Sequence, residues 1–220
     1  MAYIIPSQDW FLDIIIQVLG AIASLALSYY GYKSYKLTKK INDLYFSLAF
    51  FFLSINLILY ALIVPAVLIY YTFYRHIDPG IFLSVSHVLN FIFMFLILNA
   101  YTLLIAVYTK LEKKSVLALW AIFLFVITLY SFIFKYFLVF NLMVALLVMF
   151  IAFYTLKNYL SKKTTNSMLV ALSFVLLTIA HLSLALATYI SILSIVGHVL
   201  QFIAYVFLLS MLLRVYYGRT

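Results

Sequence analysis

Seven runs of apolar residues, each long enough to cross a bilayer, decide what this chain is able to fold into. They lie near 11–32, 44–65, 81–108, 115–134, 137–156, 168–189 and 192–213. A spanning helix needs about 20 such residues. In hydrocarbon every backbone amide must bond within its own segment, so the runs are predicted to be helices. Only 9% of the residues are charged and 69% are hydrophobic, against roughly 25% charged in a soluble domain. There is too little polar surface to coat a water-soluble globule. The expected fold is an all-α integral membrane protein of seven transmembrane helices, forming a single transmembrane domain over residues 1–220.

The basic residues set the expected direction of insertion. Lys33, Lys36, Lys39 and Lys40 fall in the first connection, Lys110, Lys113 and Lys114 in the third, and Lys157, Lys162 and Lys163 in the fifth. Arg214 and Arg219 follow the last span, and the opposite side has only Arg75 and Lys135. By the positive-inside rule the N-terminus is expected outside and the C-terminus in the cytoplasm, in a multi-pass cell-membrane protein. The opening stretch MAYIIPSQDWFLD lacks the basic region of a secretory signal, so the first span is expected to be retained. The formal charge of +9 is thereby explained by loops that meet anionic headgroups. No soluble module is present to bind nucleic acid. Cysteine is absent, which removes disulfides, thiolate metal sites and cysteine nucleophiles.

An internal repeat organises the spans. A shift of 124 residues brings Gln17 onto Asn141, Tyr30 onto Tyr154, Lys33 onto Lys157, Lys39 onto Lys163, Asn42 onto Asn166 and Phe50 onto Phe174. The third and seventh spans align at a shift of 111, where SHVLNFI (86–92) meets GHVLQFI (197–203). Three spans end on the side opposite their start, so a parallel copy needs one extra crossing between units. The predicted plan is 3+1+3: repeat 1 over 11–108, a linker helix over 115–134, and repeat 2 over 137–213. A pseudo-two-fold axis is expected along the membrane normal.

The signature residues of three families built on seven spans are missing. SWEET-type sugar transporters carry a proline in the first helix of each unit, whereas the prolines here are Pro6, Pro65 and Pro79. Microbial rhodopsins need a lysine in the seventh span for retinal, and residues 192–213 contain none. Seven-span sensor modules of histidine kinases precede a signalling domain, which this sequence does not contain.

Polar residues gather in the outer halves of the spans. His87 and His198 each lie about six residues in from the outer side, and His181 about eight, which places all three roughly 9–12 Å deep. His87, Asn90 and Met94 share one helix face, as do His198, Gln201 and Tyr205. An ionisable group inside a membrane points to function, although neutral His, Asn and Gln also bridge helices structurally. The sharpest expectation is a b-type haem of an electron-transfer subunit. His87 and His198 would be its axial ligands, with His181, Asn90 and Gln201 orienting them. Such a subunit needs a redox or complex partner on its outer face.

Three other readings stand beside the haem. A zinc or copper ion on His87, His181 and His198 suits imidazole chemistry. Its carboxylate neighbours Asp9, Asp13 and Asp78 lie at the outer interface, too far out to act as a base. A transporter or sensor of a small molecule, such as a quinone or a lipid, would use Gln17, Asn90, Asn141 and Gln201. A cofactor-free scaffold subunit of a larger membrane complex also fits. Pro65 is expected to kink the second span and be followed by an interfacial segment, with a turn at RHIDPG (75–80).

Overall fold

The computed structural model describes residues 10–73, 79–109 and 137–217, with five further positions between Ala118 and Leu129. The described residues form six long helices: α1 Trp10–Thr38, α2 Ile41–Phe73, α3 Pro79–Thr109, α4 Phe137–Lys162, α5 Thr165–Leu186 and α6 Ile192–Tyr217. Each is long and apolar enough to cross a membrane. This is an all-α, multi-pass membrane architecture whose exposed leucines, isoleucines and phenylalanines face lipid. The expected fourth span, 115–134, lies outside the described residues except for Ala118, Ala121, Ile122, Phe125 and Leu129. Those five are helical and share one helix face. Phe125 sets its ring edge-on to Phe91 of α3, with centroids 6.3 Å apart.

The helices run beyond the apolar spans read from sequence. α1 and α4 continue to Thr38 and Lys162 because lysines and tyrosines at the membrane edge keep helical backbone while their tips reach water. α2 corrects one expectation. No interfacial break follows Pro65, and the helix continues through it to Phe73. Proline removes one i→i−4 bond, a defect that membrane helices absorb through their neighbours. Pro79 opens α3 at its first residue, where a missing N–H leaves nothing unsatisfied. Residues 74–78, with most of the expected turn, lie outside the described set.

Sequential neighbours pack together in each half, α1 on α2 on α3 and α4 on α5 on α6. The halves join where α6 meets α1 and where α3 meets α4. The α1–α6 seam is parallel, since Gln17 meets His198 and, further along both helices, Gly20 meets Tyr205. The two turns at the lysine-rich end are built alike. α1 and α4 end, and α2 and α5 begin, at positions 124 residues apart. Lys39 and Lys163 are both left-handed, with φ of +57° and +50°. Their amides donate to the carbonyls of Tyr35 and Tyr159 at 2.8 and 2.7 Å.

Without a hydrophobic force between helices in lipid, close packing of small residues holds the bundle. A Cβ added at Gly197 would lie 2.8 Å from Leu184 Cγ and 3.1 Å from the backbone oxygen of Ala180, so α6 rests directly on α5. At Gly31 a Cβ would come within 3.2 Å of the Ser47 Cα on α2. The Gly197→Ala variant is expected to lose about 1–3 kcal/mol, read as a lower thermal midpoint in detergent. An unchanged midpoint would show that α5 and α6 separate without penalty.

Candidate functional site

The deepest polar chemistry lies toward the end of the bundle opposite the lysines. Gln17 and Asn141 sit 21 residues before the ends of α1 and α4, about 32 Å along each helix. Their exposures are 5% and 2%. Each amide meets a buried histidine from another helix. Gln17 Nε2 lies 3.4 Å from His198 Nδ1 on α6, and Asn141 Oδ1 lies 3.5 Å from His181 Nδ1 on α5. The second ring nitrogen of His181 is 3.2 Å from the Tyr101 hydroxyl on α3, and the two rings meet edge to face at 89°.

The imidazole protons follow from how the carboxamides are oriented. With its oxygen toward His181, Asn141 accepts from Nδ1 and leaves Nε2 to accept the Tyr101 O–H. With its nitrogen toward His198, Gln17 donates to Nδ1 and leaves the proton on Nε2. In this orientation the two histidines are opposite tautomers. Both nitrogens of His181 are engaged, which makes it a bridge between α3, α4 and α5 in one contact set.

Of the residues singled out in sequence, Gln17, Asn141, His181 and His198 enter this layer. Gln201 is buried one turn further along α6. The side chains of His87 and Asn90 lie outside those described. Backbone position still locates His87 on α3, fourteen residues before Tyr101 and about 21 Å from it along the axis. Tyr101 on α3 and Tyr205 on α6 are both buried, at 1% and 3% exposure.

Tyr101 is the site residue that sequence reasoning did not single out, since nothing distinguishes it from nineteen other tyrosines. Among the described residues three buried side-chain oxygens have no hydrogen-bond partner, Ser24 Oγ on α1 and Asn42 Oδ1 and Asn56 Oδ1 on α2. Among the described residues no three His, Asp or Glu side chains come together as a metal-binding group. No known protein family, curated protein or solved structure matches the chain.

The Tyr101→Phe variant is expected to cost about 1 kcal/mol and to shift the imidazole ¹⁵N resonances of His181 while sparing those of His198. Nitrogen NMR of histidine-labelled protein reads both. Matching tautomers for the two histidines would contradict the arrangement.

Proposed function

We propose that the chain is a seven-span membrane protein of two three-helix units, which binds a small amphiphilic molecule as a transporter or sensor. Support for the seventh span comes from parity. α3 ends at the lysine-rich end and α4 starts at the opposite one, so the residues between cross once more. Support for two units comes from the matched turns at Lys39 and Lys163 and from neighbour relations that persist when α1–α3 are exchanged with α4–α6. The third helices then correspond at the shift of 111 read from SHVLNFI and GHVLQFI. The lysine-rich end is assigned to the cytoplasm, with the N-terminus outside.

The observation that carries the binding reading is the pair Gln17 and Asn141. They occupy equivalent positions on α1 and α4, are buried, and are each bonded to a histidine. An amide repeated at this depth, with a tyrosine hydroxyl and two imidazoles nearby, forms a polar layer whose members would exchange their mutual bonds for bonds to a polar head while lipid takes the tail. A quinone suits that exchange, its carbonyl oxygens accepting from amide or imidazole N–H groups.

A second reading is a b-type haem on His198 and His87. It requires the Gln17 carboxamide to present its oxygen, so that His198 donates from Nδ1 and keeps Nε2 for iron. A reduced-minus-oxidised visible spectrum separates the two, because bis-histidine haem gives a sharp band near roughly 560 nm. The expected result is a flat spectrum together with saturable binding of decylubiquinone, read by quenching of intrinsic fluorescence. Gln17→Leu and Asn141→Leu are each expected to weaken that binding about tenfold, the worth of roughly one hydrogen bond to a buried group. Linear, non-saturating quenching would end the quinone reading, and a 560 nm band would install the haem.

A further inference from the structure

The lysine-rich end carries a feature that the polar core leaves unexplained. Lys39 and Lys163 are the only non-glycine residues among those described with left-handed backbone. Glycine usually closes a helix in this way, because a Cβ crowds the neighbouring carbonyl. Asn and Asp offset that crowding with local hydrogen bonds, and lysine has no such means. An unfavourable residue held at two separate turns points to work done by its side chain. Here the side chain brings charge. Lys40 stands beside Lys39 and Lys162 beside Lys163, and all four are exposed. The one acid of the two turns, Asp43, accepts from the hydroxyls of Ser34 and Thr38 at 2.8 and 2.7 Å.

The surroundings of these lysines identify the anion. Tyr32, Tyr35 and Tyr159 lie on the bilayer side of the turns, the position of an interfacial aromatic belt. The ammonium groups of Lys36 and Lys39 sit over the rings of Tyr32 and Tyr35, 4.9 and 5.9 Å from the centroids. Leu37 and Leu160 are 80% and 67% exposed at the same level, which suits acyl chains and not water. Cations just beyond an aromatic belt and bare leucines stand at the depth of phospholipid phosphates.

We infer that the α1–α2 and α4–α5 turns are two binding sites for the phosphate of an anionic phospholipid, one holding a headgroup between left-handed Lys39 and Lys40 and the other between left-handed Lys163 and Lys162. Free phosphate shares the charge chemistry, but the exposed leucines commit the sites to lipid. The proposal is independent of what the polar core binds.

Native mass spectrometry of the full chain in detergent tests it, with phosphatidylglycerol, phosphatidylcholine and inorganic phosphate as probes. Two phosphatidylglycerol molecules are expected to be retained under conditions that strip phosphatidylcholine. Lys39→Gly with Lys40→Gln is expected to weaken one by roughly thirtyfold, and Lys162→Gln with Lys163→Gly the other. Glycine relaxes the turn, so the lipid is lost with an equal or higher thermal midpoint, while Lys39→Arg keeps both lipid and turn. Unchanged phosphatidylglycerol binding when both double variants are combined, equal retention of phosphatidylcholine, or displacement by millimolar phosphate would each overturn the assignment.

Discussion

Hydrocarbon leaves a backbone no partner but itself, and the rest of this structure depends on that constraint. Once each segment has closed its own amide ladder, only side chains can tell one helix from another. The chain meets that need with few groups. Gly20, Gly31 and Gly197 let helices touch where a methyl would collide. Ser47 donates to the Ser28 carbonyl and Ser54 to that of Ala21, joining α2 to α1 at 2.8 and 3.2 Å. The two histidine–amide pairs work across longer sequence distances, tying α1 to α6 and α4 to α5. Each such bond is worth about 0.6 kcal/mol in a membrane, so specificity arises from where they are placed more than from their strength.

On the two-unit reading, the core is symmetric in some respects and not in others. Gln17 and Asn141 correspond at the shift of 124, but His181 stands where the first unit has Leu57. Leu57 and Tyr205 both lie against Gly20, whereas Tyr101 turns its hydroxyl to the His181 imidazole. One scaffold thus presents two polar surroundings.

Much of this was legible in the sequence. Six of the seven apolar runs became the six described helices, because an unbroken apolar stretch in lipid has one solution. Their ends were less legible, since Lys36 and Lys162 are polar by composition yet helical in place. Pro65 reads as a breaker in water and is carried within α2 in lipid. The contact between Tyr101 and His181 was not legible, because pattern gives the face of a helix but not its depth beside a neighbour.

The parallel seam between α1 and α6 has a consequence for how the protein is made. Gln17 and His198 are 181 residues apart in the chain. At about 5–20 residues added per second, the first helix waits roughly 10–40 s for the last. Through that interval the Gln17 carboxamide and the small-residue face around Gly20 are in the membrane without their partner. A helix inserted early is finished only when one made much later arrives, and a ribosome that stalls between them leaves a polar group open to chaperones and membrane proteases.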